Sequence, residues 1–170
     1  DVVDKRQKGR KIDVHFNGAL YPEQQVAAEK MLYNDIGVLA AATAFGKTVL
    51  GAYLIAQKKV SALVLVHNVE IMNNWIKDLN SFLTINEELP TYTTPKGRVK
   101  KRSSLIGTFS SQKDATTGII DIAMITSLGR EDNINELVRN YGMVIVDECH
   151  HAAAVTHENV LRAVTARYIY

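Results

Sequence analysis

Short apolar runs with little polar interruption recur along the chain and constrain its fold more than any other feature. Residues 61–66 (SALVLV) and 143–146 (MVIV) are the clearest of them. A strand that is apolar at nearly every position is typical of a sheet covered on both faces. Residues 11–16, 37–42, 104–109, 119–125 and 167–170 also have strand character. The first of these stretches alternates between polar and apolar residues, which predicts a short edge strand.

Stretches with helical spacing separate these runs. In the clearest one, Trp75, Leu79 and Phe82 recur every three to four positions and predict a core-facing stripe, whereas Asp78 is predicted to face away. Further helices are predicted over residues 23–34, 47–58, 132–139 and 158–164, the last after a Thr156 cap. Strands that alternate with helices predict an α/β fold, with a mostly parallel sheet and helices on both faces.

Composition sets the limits of this fold. A chain of 170 residues that is 46% hydrophobic suits one compact domain. We divide it into a charged lead-in over residues 1–18 and a domain over residues 19–170, with residues 84–102 as a surface loop or small excursion.

The single Cys149 excludes an internal disulfide and favours a reducing, cytoplasmic location. No apolar run is long enough to span a bilayer, and the net charge of +2 leaves the nature of any partner open.

Residues 41–48 (AATAFGKT) have the spacing of a phosphate-binding P-loop, with Ala41 in place of the first glycine. Such a loop turns backbone N–H groups toward phosphate oxygens and precedes a helix N-terminus that favours anions. We expect Lys47 to contact the β- and γ-phosphates of ATP and Thr48 to ligate Mg²⁺. The predicted nucleotide-binding residues of the loop are Thr43, Ala44, Phe45, Gly46, Lys47 and Thr48.

Asp147 and Glu148 follow directly after the apolar run 143–146. Alone, two acids at a strand end would be read as a surface pair. With a P-loop in the same chain they predict a hydrolytic site, in which Asp147 holds Mg²⁺ and Glu148 activates water. A zinc cluster over residues 147–151 is disfavoured, because adjacent side chains cannot all point at one ion and no second cysteine is present.

Together, residues 42–48 and the sequence Asp147-Glu148-Cys149-His150 resemble superfamily 2 helicases and translocases of the DExH type, restriction-enzyme motor subunits among them. The resemblance implies that the chain is the first RecA-like lobe of such a motor. It also implies that Gln24 contacts adenine and that His150 couples the nucleotide state to a second lobe. The chain departs from the family pattern at Tyr21 and Glu23, where Arg and an aromatic residue are common.

His67, at a predicted strand end, is read either as a structural residue or as a contact to a nucleic-acid backbone, and Thr126 and Ser127 are candidate donors to phosphates. The resemblance favours DNA over RNA. The family continues beyond the position of Tyr170 into a second RecA-like lobe, so we expect the lone lobe to hydrolyse ATP very slowly. Basic residues in 96–102 are read as a solvated loop or as phosphate contacts. Two other functions remain open: a P-loop ATPase that acts on a partner other than nucleic acid, and a nucleotide-dependent binding module.

Overall fold

The computed structural model describes residues 3–130, 133–149 and 155–170. Its α-helices are α1 (Pro22–Tyr33), α2 (Lys47–Lys58), α3 (Val69–Phe82) and α4 (Val155–Ala163). Its strands are β1 (Val14–Phe16), β2 (Ala62–Val66), β3 (Leu83–Ile85), β4 (Thr91–Thr93), β5 (Val99–Lys101), β6 (Ile106–Ser110), β7 (Lys113–Asp114), β8 (Ile120–Met124), β9 (Gly129–Arg130), β10 (Asn133–Ile134), β11 (Met143–Val146) and β12 (Tyr168–Ile169). Short 3₁₀ helices cover Thr43–Phe45, Ile125–Ser127 and Glu136–Arg139.

The central sheet has the strand order β12-β11-β2-β8-β6-β7. Every neighbouring pair in it is parallel except β6 and β7. In register, Val144 of β11 lies opposite Leu63 of β2 on one side and Ile169 of β12 on the other. The predicted α/β class with a mostly parallel sheet is therefore confirmed.

Both faces of the sheet are covered, and β2 shows how its sequence achieves this. Val64 and Val66 pack into the core beneath α1, α2 and α3, whereas Leu63 and Leu65 pack into a second core that includes Val160 of α4. Successive side chains of a strand point to opposite faces, so a strand buried on both sides needs apolar residues throughout. The apolar run 61–66 thus reflects two cores rather than one.

One predicted strand is wrong. Residues 37–42 form no strand; the chain here is joined to the sheet by a single bridge between Ile36 and Ile169 and a hydrogen bond from Gly37 N–H to the Ile169 carbonyl at 3.0 Å. A strand requires a continuous ladder, and β12 presents only two residues, which already pair with β11 on their other side. Val38 is consequently 78% exposed.

Other local predictions are also corrected. Residues 133–139 form β10 and a 3₁₀ helix instead of the predicted α-helix, and the Asn135 side chain accepts a bond from Leu137 N–H at 2.9 Å where that 3₁₀ helix begins. Residues 84–102 hold an antiparallel hairpin of β4 and β5, which agrees with the predicted small excursion. The predicted short strand β1 is present and pairs with β3, apart from the main sheet. α4 begins at Val155, so Thr156 lies within it rather than before it.

Part of the charged lead-in is bonded to the domain. Gln7 exchanges backbone hydrogen bonds with Thr165 and Arg167 at 2.7 and 2.9 Å. Gly9 lies so close to Gly142 that a Cβ at position 9 would sit 2.4 Å from the Gly142 nitrogen. Among the described residues, no helix is long and apolar enough to cross a membrane.

Candidate nucleotide-binding site

The loop between residues 42 and 47 turns sharply before α2. Its residues Thr43–Phe45 form a 3₁₀ turn, and Gly46 has a φ of 80°, in the left-handed region that suits glycine. A Cβ at Gly46 would also lie 2.6 Å from Nε2 of Gln24. Gly46 is therefore required both by its backbone conformation and by the neighbouring side chain.

Gln24 ties α1 to this loop. It is only 4% exposed, and its Oε1 accepts a bond from Tyr21 N–H at 2.9 Å. Its Nε2 donates to the carbonyl oxygen of Phe45 at 2.7 Å. The amide thus fixes the loop from beneath, and its contact with adenine stays a prediction.

Lys47 and Glu148 meet although they lie far apart in sequence. Lys47 Nζ donates to Glu148 Oε1 at 2.8 Å, and both side chains are about one-quarter exposed (27% and 26%). This bond raises the pKa of Lys47 above its ordinary value, against a smaller opposing effect of burial. Glu148 has a φ of 54°, a conformation that costs a non-glycine residue free energy and is found most often at functional sites. The P-loop and the carboxylate motif thus form one site.

The two predicted magnesium ligands are each bonded to α3. Trp75 Nε1 donates to Asp147 Oδ2 at 2.8 Å, and Thr48 Oγ1 donates to Asp78 Oδ2. Both ligands offer hard oxygen atoms, the donors that Mg²⁺ prefers. The indole of Trp75 bonds to Oδ2 of Asp147 and not to Oδ1, so Oδ1 is available to a metal ion. The Thr48 hydroxyl donates its hydrogen to Asp78, so its oxygen lone pairs are also available. The residues present therefore fit a magnesium ion.

Sequence reasoning missed the role of α3 in this site. Trp75 was expected in the core, and it is indeed only 1% exposed. Asp78 was expected to face away, but it is half-buried against α2. The available signal was its position beside the apolar stripe, three residues after Trp75 and adjacent to Leu79, because residues three apart share a helix face.

A cavity of about 770 Å³ adjoins the site. Its polar end is formed by Lys47, Asp147 and Glu148, and its walls include Val38 and Tyr170. Residues 37–42, which form no strand, also line it. The carboxyl end of β11 opens into it, in accordance with the rule that parallel sheets bind ligands at that end.

The residues predicted to contact nucleic acid lie near this edge but differ in accessibility. His67, at the end of β2, lines a small cavity with Asp147 and Glu148. Thr126 is exposed, whereas Ser127 Oγ already accepts a bond from Ser111 N–H at 2.9 Å.

In the basic segment, Lys100 and Lys101 are exposed. Arg102 is held differently: its Nε donates to the Thr116 carbonyl at 2.9 Å, and its guanidinium lies 4.1 Å from the Tyr92 ring centroid. Arg102 is therefore part of the fold, whereas Lys96, Arg98, Lys100 and Lys101 are exposed and remain available as phosphate contacts.

Two predicted site residues are not fully described. His150 lies wholly outside the described residues, and of Thr43 only the backbone is described. Cys149 is exposed. The zinc cluster weighed over residues 147–151 includes His150 and His151, which lie outside the described residues, so the structure does not test that alternative.

The fold and this constellation define a P-loop domain of the RecA-like type. A family model described as "Type III restriction enzyme, res subunit" matches residues 17–169, and the chain belongs to that family. The resemblance to the first RecA-like lobe of superfamily 2 helicases is thereby confirmed.

Individual relatives agree with this assignment. A mimivirus protein (Acanthamoeba polyphaga mimivirus), provisionally named as an ATP-dependent RNA helicase, is 24% identical over 161 residues. A protein of Invertebrate iridescent virus 3, provisionally named as a helicase, is 27% identical over 158 residues. The alignments cover 92% and 91% of this chain but only 28% and 44% of those proteins. The chain thus spans less than half the length of either relative.

A solved structure shows the same fold. The SWI2/SNF2 ATPase core of Sulfolobus solfataricus, in complex with dsDNA, superposes with a TM-score of 0.64 at 14% sequence identity. The superposition covers 97% of this chain and 33% of that one. At this identity the comparison supports the fold alone.

Proposed function

We propose that the chain is the ATP-binding and ATP-hydrolysing lobe of a nucleic-acid helicase or translocase that acts on DNA in preference to RNA. The observation that carries the proposal is the 2.8 Å contact between Lys47 and Glu148. It joins a phosphate-binding loop to a hydrolytic carboxylate at the carboxyl end of a parallel sheet. A module that only bound nucleotide would not need this carboxylate.

Lys47 and Glu148 act in sequence in the proposed reaction. In the structure each neutralises the other, and the raised pKa of Lys47 keeps it positively charged. When ATP binds, its β- and γ-phosphates attract Lys47 away from Glu148. The released Glu148 carboxylate then orients the attacking water and accepts its proton. Glu148 is thus held by Lys47, and cannot act as the base, until the phosphates of the nucleotide have attracted Lys47.

Thr48 and Asp147 are the residues that would hold Mg²⁺. When bound, the ion neutralises charge on the β- and γ-phosphates. Backbone N–H groups of residues 43–47 and the N-terminus of α2 supply further positive potential for the phosphates.

Nucleic acid is proposed as the partner because the structural neighbour is described in complex with dsDNA and the viral relatives are named as helicases. One of those names specifies RNA, so the preference for DNA rests on the resemblance to restriction-enzyme motors. We place a second RecA-like lobe downstream, with arginines that stabilise the transferred phosphoryl group, an effect worth about 10³-fold or more.

The test is steady-state ATPase activity of residues 1–170 and of a chain extended through the downstream lobe, with dsDNA or RNA. We expect slow turnover by the short chain and turnover stimulated by dsDNA, more than by RNA, in the extended one. Glu148→Gln in the extended chain should lower turnover by about 10²–10⁴-fold, since it removes the base. Glu136→Gln, an exposed substitution of the same kind, is the control and should leave turnover unchanged.

Each result has a separate meaning. Turnover that no nucleic acid changes would contradict the motor function and favour a different partner. Equal stimulation by RNA would contradict only the preference for DNA. Turnover by Glu148→Gln near that of the unaltered chain would show that another residue is the base.

A further inference from the structure

α3 is built to present two polar side chains on an otherwise apolar face. The helix begins at Asn68, whose side chain accepts a bond from Ile71 N–H at 2.8 Å. Trp75 and Asp78 lie three residues apart, so they point to the same side of the helix. Trp75 is buried against α2, where Gly51 leaves room for the indole; a Cβ at Gly51 would lie 2.4 Å from Trp75 Cη2.

Each of these side chains holds one predicted magnesium ligand. Trp75 reaches Asp147 at the end of β11, and Asp78 reaches Thr48 in the first turn of α2. The two ligands come from elements almost 100 residues apart in sequence. α3 is therefore a common support for both.

The two bonds orient their ligands in ways that suit metal binding. A threonine hydroxyl has one hydrogen, and when Asp78 accepts it the oxygen lone pairs point elsewhere, available to a cation. Trp75 donates a neutral N–H, which fixes the Asp147 carboxylate without supplying a positive charge that would compete with Mg²⁺. Outer partners of this kind typically change metal affinity or activity by about 10–100-fold when they are removed.

We propose that Trp75 and Asp78 are positioning residues of the magnesium site, through their hydrogen bonds to Asp147 and Thr48. The proposal rests on the proposed function, because it presumes a magnesium-dependent nucleotide site at these ligands. It assigns α3 a role beyond packing: a movement of α3 would displace both ligands together.

The experiment measures the affinity of the 170-residue chain for a fluorescent ADP analogue, with Mg²⁺ and with EDTA. The dissociation constant in EDTA divided by the dissociation constant in Mg²⁺ reports the contribution of magnesium alone. Asp78→Ala should lower this ratio about 10–100-fold while leaving the affinity in EDTA within about twofold. Asp78→Asn, which keeps an acceptor oxygen for the Thr48 hydroxyl, should recover most of the ratio. Glu70→Ala, the same change in charge on an exposed residue of α3, is the control and should leave the ratio unchanged.

Trp75 is tested separately. Trp75→Phe removes the indole N–H while keeping an aromatic ring, so it should lower the same ratio with the affinity in EDTA unchanged. Because Trp75 is the single tryptophan, its own fluorescence in the unaltered chain reports the contact with Asp147. Its emission should differ between ADP with Mg²⁺ and ADP with EDTA.

The outcomes separate the two proposals. If the unaltered chain binds nucleotide equally with and without Mg²⁺, the proposed function fails. If it depends on Mg²⁺ and both Asp78→Ala and Trp75→Phe keep the full ratio, the positioning role is overturned while the function stands. An equal loss of affinity in Mg²⁺ and EDTA would also overturn it, since that pattern indicates a purely structural role.

Discussion

At the amino end of β8, Asp121 is fully buried, and its carboxylate accepts bonds from Thr117 N–H, Gly118 N–H and the Tyr141 hydroxyl at 2.8, 2.8 and 2.5 Å. At the carboxyl end of β11, the Asp147 carboxylate accepts a hydrogen bond from Trp75 Nε1 at 2.8 Å. Its neighbour Glu148 is paired with Lys47 beside an open cavity. The first end is closed by donors within the protein, whereas the second keeps capacity for a ligand.

The comparison teaches how to distinguish a structural carboxylate from a candidate functional one in the same sheet. Burial costs a carboxylate free energy unless donors replace water. Asp121 obtains several such donors from its surroundings. Burial raises the pKa of Tyr141, so the Tyr141 hydroxyl stays protonated and donates to Asp121. Asp147 and Glu148 instead remain partly accessible, and Glu148 is paired with the Lys47 ammonium.

The largest expected effect comes from making the same substitution at both ends. Asp121→Asn should lower the free energy of unfolding by about 2–4 kcal/mol, because the amide turns a donor toward groups that are donors themselves. Asp147→Asn should change it by less than about 1 kcal/mol, since one amide oxygen can still accept from Trp75. Urea denaturation of both variants checks this, and equal losses would remove the distinction between the two ends.

Lys47→Ala should weaken ATP binding by about 10–100-fold, because it removes the main side-chain charge on the phosphates. Calorimetry with Mg-ATP measures the change. Lys113→Ala, at an exposed lysine of β7, is the matched control and should bind ATP as the unaltered chain does. Unchanged affinity in Lys47→Ala would contradict the assignment of the phosphate-binding loop.

Gly46→Ala is expected to cost about 1–3 kcal/mol of stability, since the left-handed backbone disfavours a side chain and the new methyl group would contact Gln24. Its effect on nucleotide affinity should be larger than that of Gly97→Ala. Gly97 also has a positive φ, but a Cβ there would meet no atom within 4 Å. Thermal melts and nucleotide titrations of both variants test this. Similar nucleotide affinities would show that the shape of the loop is not needed for binding.

The smallest effect is expected from Tyr141→Phe, which should destabilise the protein by about 1 kcal/mol by removing one donor from Asp121. ATP affinity should not change, because Tyr141 lies at the amino end of the sheet. A loss of nucleotide affinity without loss of stability would show that the two ends are coupled.

The sequence alone determined the class of fold and identified the residues of the candidate site. β11 was predicted at its observed bounds and β2 within one residue, because a strand buried on both faces must be apolar throughout. The P-loop and the acids Asp147 and Glu148 were identifiable because phosphate and Mg²⁺ binding restrict the residue types at fixed spacing. These are local constraints, which a sequence expresses directly.

Only the tertiary structure decided which groups meet. Residues 37–42 have strand composition, but they lack the continuous ladder that would make them a strand. In the sequence Asp78 was assigned to the solvent-facing side of its helix, and only the packing of α2 against α3 brings it to Thr48. Arg102 belongs to a basic run, yet it is bonded into the fold. In each case the partner lies in another segment of the chain. Whether the two groups meet depends on packing and strand register rather than on local conformational preference.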